Sequence, residues 1–244
     1  VGVKGIQNNA VLALKPLLNT KLAKRLISLW HTKINEQLLG SYSQKGEDLI
    51  IEKLLGKKKD GFYVDVGANH PTACSNTYRF YKKGWRGINI EPNQINIQKF
   101  RRIREEDINL GIGISQKKGK MVFYEFFETA LSTFSKEEAE KNIKVGKKLK
   151  QKVTVSVEKL SDVLNKYAKG KEIDFFSIDT EGFDMEVLKS NDWNNFKPTI
   201  ICLETAGRGY TEDYSQEFME YLSKYGYKIA ARTRLNTIYM RETR

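Results

Sequence analysis

From Ser41 onward, short apolar runs alternate with segments of helical period, and that alternation predicts an α/β fold. Runs at 62–66, 86–91, 107–113, 173–179 and 199–204 read as strands, and two more strands are expected near 227–232 and 236–241. Between them, residues 43–55, 75–83, 93–104, 158–168, 182–190 and 213–225 carry amphipathic helical spacing. Ser43 is placed to cap the first helix and Gly56 to end it. A hairpin-like insertion interrupts the series, with strands at 121–127 and 153–157 around a lysine-rich stretch at 135–150. Right-handed crossovers then give a doubly wound, mostly parallel seven-stranded sheet with helices on both faces. Residues 10–39 differ: Leu12, Leu14, Leu18, Leu22, Leu26, Trp30, Ile34 and Leu38 suit an amphipathic helix pair, broken near Pro16 and ending at Gly40. The expected organisation is an N-terminal helical extension over 1–40 and one domain over 41–244.

The ends of the strands carry the chemistry. The run Phe62-Tyr63-Val64-Asp65-Val66 breaks into Gly67-Ala68-Asn69-His70-Pro71, and Arg86-Gly87-Ile88-Asn89-Ile90 ends in Glu91-Pro92. Parallel strands deliver such acids to the carboxyl edge of a sheet, where open α/β sheets bind ligands. Gly67 permits close backbone approach or a tight turn, and Glu91 is suited to gripping two ribose hydroxyls. An acid that ends an apolar strand costs stability without a partner. Only one glycine stands where a dinucleotide fingerprint needs three, which argues against NAD and toward S-adenosylmethionine.

Several dispersed motifs share an order and spacing: Ser43-Gln44-Lys45-Gly46-Glu47-Asp48, Val64 to Pro71, Ser75-Asn76-Thr77, Ile88 to Asn93, and Ser177-Ile178-Asp179-Thr180-Glu181-Gly182 followed by Glu186-Val187-Leu188. In these the chain resembles the FkbM-type methyltransferases over roughly residues 41 to 240. The resemblance implies a Rossmann-like class I methyltransferase fold with S-adenosylmethionine as cofactor. It implies use of Asp65 near the methionine moiety, beside Gly67 and Asn69 as further cofactor-binding candidates, and places Gln44 near the cofactor's amino acid end, although Gln44 also suits a local cap. Gly111-Ile112-Gly113 offers small and apolar residues for an adenine ring, and core packing explains them equally well.

On the acceptor side, Asp179 and Glu204 end neighbouring strands, with Glu181 close by in sequence. Such acids suit three uses: orienting sugar hydroxyls, holding a divalent cation such as magnesium, or forming a structural network. His70 is a candidate base for the acceptor hydroxyl, set against a loop imidazole bonded to backbone. Arg208 and Tyr210, after the fifth strand, are candidates for contacting a substrate phosphate.

Composition narrows the partners. A chain of 244 residues with 40% apolar content buries a full core, and no stretch has the length of a transmembrane helix or the pattern of a signal peptide, so a cytoplasmic protein is expected. Cys74 and Cys202 form no metal-ligand spacing and read as reduced thiols. The net charge of +12 sits in scattered runs such as Lys57-Lys58-Lys59, Arg101-Arg102 with Arg104, and Lys141 to Lys152. Singly these read as solvated faces, and together they suggest an anionic partner: a nucleotide-linked sugar, a charged polysaccharide or an acidic membrane surface. Nucleic acid is disfavoured, because the clusters lack a stacking platform. The opening Val1 leaves room for an upstream domain, and the N-terminal helices are expected to cover the core, a second copy or that domain. The reading is an S-adenosylmethionine-dependent O-methyltransferase acting on a sugar hydroxyl, for example a nucleotide-linked sugar or glycan of surface polysaccharide synthesis. The alternatives are a non-catalytic cofactor-binding assembly module and a methyltransferase of a non-sugar natural product.

Overall fold

A computed structural model describes residues 40–56, 58–206 and 213–242. The N-terminal extension up to residue 39 and the loop carrying Arg208 and Tyr210 lie outside the described residues. Ten strands run in chain order as β1 (Phe62–Val66), β2 (Arg86–Ile90), β3 (Ile108–Leu110), β4 (Gly113–Ile114), β5 (Gly119–Phe126), β6 (Leu149–Glu158), β7 (Phe175–Ile178), β8 (Ile200–Glu204), β9 (Tyr227–Arg232) and β10 (Asn236–Arg241). The helices are α1 (Glu47–Leu55), α2 (Tyr78–Lys82), α3 (Gln94–Ile103), α4 (Lys136–Lys144), α5 (Leu160–Tyr167), α6 (Asp184–Lys189) and α7 (Ser215–Leu222).

The large sheet has seven strands in the order β3-β2-β1-β7-β8-β10-β9. The first five are parallel to one another, and β10 runs antiparallel to both β8 and β9. The doubly wound sheet expected from the sequence is therefore present. Its chain order reverses between β1 and β7, and a switch point of this kind opens a crevice at the carboxyl ends of the strands.

Both faces of the sheet are covered, which is why its strands are near-continuous apolar runs. On one face Val64, Val66, Ile88, Ile90, Phe176 and Ile178 pack with Leu160, Val163 and Leu164 of α5, Val187 and Leu188 of α6 and Phe218 of α7. On the other, Tyr63, Phe175, Ile200 and Ile238 meet Ile51 of α1 and Phe80 of α2. That second face turns polar toward the carboxyl edge, where the register aligns Asp65 with Asn89 and with Ser177.

Three local expectations are corrected. α1 begins at Glu47, because Ser41 and Ser43 donate their hydroxyls to the Asp48 carboxylate at 2.6 and 3.0 Å and hold residues 43–46 out of the helix. The third strand stops at Leu110, and Gly113–Ile114 belongs to a separate sheet. The insertion is more than a hairpin: β4, β6 and β5 form a three-stranded sheet in that order, and the lysine-rich stretch contains α4, capped by the Ser135 hydroxyl accepting from the Glu138 amide.

Candidate active site

The register of the sheet builds the site. Val66 is level with Ile90 and Ile178, and Ile178 with Leu203, so the next residues, Gly67, Glu91, Asp179 and Glu204, stand side by side at the carboxyl edge. All four line a cleft with an empty volume of about 940 Å³ that opens to solvent. Gly67 has φ +80°, and a Cβ there would stand 1.8 Å from the Asp179 carbonyl oxygen. The close approach required here is chain against chain, between the turns after β1 and β7. Gly67→Ala is therefore expected to cost about 3 kcal/mol, through strain at positive φ and displacement of the Asp179 backbone. Urea unfolding measures this, and an unchanged midpoint would refute it.

Glu91 is buried, and each of its carboxylate oxygens accepts one backbone amide, Asn69 N–H at 2.8 Å and Asn93 N–H at 2.7 Å. Burial pushes its pKa up to about 7 despite those two donors. Each oxygen keeps a second lone pair, which is what a ribose diol requires. Asp65 is held differently. Arg104 Nη1 donates to Thr77 Oγ1 at 2.7 Å, so the Thr77 hydroxyl proton is directed at Asp65 Oδ2, 2.6 Å away. Asn76 Nδ2 donates to Ser177 Oγ at 3.2 Å, and Ser177 in turn bonds Asp65. Burial raises the Asp65 carboxyl above its ordinary range, while the two hydroxyls and the Arg104 charge pull it back.

At the other end of the cleft, one carboxylate oxygen from each of Asp179, Glu181 and Glu204 lies within 4.8 Å of the others. Asp179 Oδ1 is buried and has no hydrogen-bond partner. Its pKa is driven well above the carboxylate range by burial, then by the charges of Glu204, Glu181 and Asp184. Among the described residues, three non-glycine ones lie in the left-handed region, Asn69, Cys74 and Glu181 at φ +48°, +54° and +52°, and all line this cleft, as strain commonly concentrates at functional sites.

Of the residues expected from the sequence, Gln44, Asp65, Gly67, Asn69, Glu91, Ile112, Gly113, Asp179, Glu181 and Glu204 come together here. Gly111 does not: it stands outside the lining, with its carbonyl accepting from Gln94. His70 is also absent from the lining. Its Nδ1 accepts from the amides of Thr72 and Ala73 at 3.3 and 3.1 Å, which occupies the one lone pair of a neutral imidazole. As a base it would have to release its own turn. Arg208 and Tyr210 lie outside the described residues.

Sequence reasoning missed the wall contributed by the insertion: Phe123, Thr129, Ala130, Ser132 and Phe134. It also missed Asp184, buried, bonded to the Thr180 amide at 3.0 Å and pushed up to about 6 by burial. The described lining contains five carboxylates, Asp65, Glu91, Asp179, Glu181 and Glu204, and no lysine or arginine. Such a cleft attracts a cationic ligand and suits hydroxyl donors.

The family model for the methyltransferase FkbM domain matches residues 65–229. No curated protein matches the chain. Among solved structures, a TehB-like SAM-dependent methyltransferase from Corynebacterium glutamicum aligns with a TM-score of 0.43 and 10% identity, over 90% of this chain and 97% of that one. A methyltransferase from Geobacter sulfurreducens aligns with a TM-score of 0.42 and 14% identity, over 97% and 96%. A precorrin-6y C5,15-methyltransferase from Geobacter metallireducens aligns with a TM-score of 0.40 and 12% identity, over 80% and 87%. The fold assignment rests on the strand order rather than on these distant likenesses.

Proposed function

Because the chain belongs to the FkbM methyltransferase family, we propose that this S-adenosylmethionine-dependent enzyme methylates a hydroxyl of a sugar. The observation that carries the reading is the cluster of Asp179, Glu181 and Glu204 at one end of a cleft whose other end holds Glu91. Glu91 would accept from the ribose hydroxyls, Asp65 and Gln44 would face the amino acid end, and Ile112 with Gly113 would pack on the adenine. The acceptor hydroxyl would then lie between the sulfonium methyl and the acid cluster. Its oxygen forms the new bond to carbon, the carbon–sulfur pair stays with sulfur, and the hydroxyl proton passes to Asp179. A carboxyl whose pKa is raised is, once ionised, a stronger base than an ordinary aspartate, and burial together with the neighbouring acids raises that of Asp179. In-line alignment supplies most of the remaining acceleration.

The all-oxygen donor set and the unpartnered Asp179 Oδ1 also fit a hard divalent cation held by Asp179 and Glu204, which would polarise the acceptor oxygen. If the acceptor is nucleotide-linked, its phosphates meet no basic group among the described lining residues, and Arg208 and Tyr210 are the proposed partners. Incubation with S-adenosylmethionine and a panel of free, nucleotide-linked and lipid-linked sugars, with mass detection, is expected to show one added methyl per acceptor. Methylation of amines alone would overturn the hydroxyl assignment. If Asp179 and Glu204 hold a cation instead of a proton, chelator lowers turnover more than tenfold and magnesium restores it, whereas full activity in chelator leaves a shared proton as the relief of the acid cluster.

A further inference from the structure

The acid-lined cleft leaves the +12 balance without a partner inside the site, and part of the excess gathers on the insertion. Between residues 141 and 152 the insertion carries lysines at 141, 144, 147, 148, 150 and 152 and no acid. At the same end three apolar side chains project into solvent: Phe127 and Val145 are each 70% exposed and Ile143 is 47% exposed. The backbone brings them together. Phe127 N–H donates to the Lys148 carbonyl at 3.2 Å, Lys147 pairs with Glu128 at 2.8 Å, and the turn at Gly146, φ +82°, joins the end of α4 to the start of β6. Lys141 and Lys150 are paired with Glu137, Glu138 and Glu125, whereas Lys144 and Lys148 have no carboxylate partner among the described residues. Single exposed apolar residues are ordinary, but an aromatic and two branched aliphatics at one tip, beside two lysines without a carboxylate partner, match an interfacial surface.

We propose that this tip docks the protein on an anionic lipid bilayer, with Phe127, Ile143 and Val145 entering the headgroup boundary and Lys144 and Lys148 meeting lipid phosphates and carboxylates. Charge complementarity selects this occupant: a second copy of the same tip would bring lysine against lysine. The position of the tip gives docking a purpose. Thr129, Ala130 and Ser132, which line the cleft, follow Phe127 by two to five residues in the turn after β5, so docking would hold that wall of the cleft near the membrane. The acceptor class that this favours is a sugar carried on a lipid anchor, which deepens the sugar-hydroxyl reading and rests on it, whereas the docking itself does not.

Co-sedimentation of the full chain with vesicles of phosphatidylcholine, with and without phosphatidylserine, tests the surface in the absence of cofactor and acceptor. Binding is expected only to the anionic vesicles and is expected to fall with salt. Phe127→Ser with Val145→Ser, and separately Lys144→Glu with Lys148→Glu, should each weaken partition roughly tenfold or more, while S-adenosylhomocysteine affinity stays at the wild-type value. Equal vesicle binding by wild type and both variants would overturn the proposal. So would absent vesicle binding together with a dimer that Phe127→Ser with Val145→Ser dissociates, because the tip would then be an interface between copies. Methyl transfer to free sugars only, by a protein that binds vesicles through this tip, would remove the lipid-linked acceptor and leave the docking in place.

Discussion

Glu91→Gln is expected to weaken S-adenosylhomocysteine binding roughly 30- to 100-fold, since a charge-assisted acceptor for two hydroxyls becomes a neutral amide. The wild-type affinity should also depend on pH. With the Glu91 carboxyl pushed up to about 7 by burial, the acceptor is mostly protonated at pH 6 and mostly ionised at pH 8. Binding that selects the ionised form should therefore tighten about tenfold across that interval. The stability of the free protein should move the opposite way. A carboxyl whose folded pKa lies above its unfolded value of 4.5 stabilises the fold fully below that value, and the contribution is lost as pH rises through about 7. Glu91→Gln should flatten both profiles. It leaves one of the two amide donors, Asn69 or Asn93, facing an amide nitrogen at a cost of about 1–2 kcal/mol, so binding must be measured where both proteins are folded. Calorimetry from pH 6 to pH 8 that finds identical affinities for the two proteins would remove Glu91 from the cofactor pocket.

The strands were legible because they are buried on both faces: Phe62 to Val66 has no exposed position, and a run of that kind bounded by turn residues has few other readings. The two final strands were legible near 227–232 and 236–241, whereas their antiparallel pairing was not. Glu91, Asp179 and Glu204 were legible for the same reason, as acids standing where apolar runs end. Arg104 was not. In sequence it closes a basic run with Arg101 and Arg102, which are exposed, yet it is fully buried and donates to Pro71, Ser75, Thr77 and Asn89. Helical period alone cannot tell the one buried member of such a run from its neighbours, because the acceptors come from the loop after β1 and from β2. The insertion wall escaped for a similar reason: Thr129 and Ser132 reach the cleft through tertiary folding of the small sheet, and no local motif marks them. The basic total pointed toward an anionic acceptor, whereas the cleft concentrates acids and leaves the lysines on its outside. Net charge reports on the whole surface and says nothing about how it is divided.

Asp179→Asn is expected to separate stability from function in opposite directions. Asp179, Glu181 and Glu204 crowd three carboxylates within 4.8 Å, and Asp179 Oδ1 has no donor to offset its burial. Replacing one member with a neutral amide relieves repulsion and desolvation, so in chelator the variant should gain about 1 kcal/mol and melt roughly 2–4 °C higher. The sign of the pH dependence follows from the raised pKa of Asp179. The wild-type penalty is absent at low pH, where the carboxyl keeps its proton, and grows as pH rises above the ordinary carboxylate range, so the advantage of the variant should widen with pH. Turnover should fall roughly 10²- to 10⁴-fold, the range for losing a general base, with S-adenosylhomocysteine affinity within about threefold of wild type. Glu204→Gln should repeat the pattern more weakly. A merely structural cluster would instead lose stability on substitution and keep its kcat, and that outcome, read by thermal melting beside single-turnover kinetics, would exclude the acid cluster from the chemistry. Sites that carry function commonly hold such locally unfavourable arrangements, and a gain in stability on removal is the signature that distinguishes them from core polar networks.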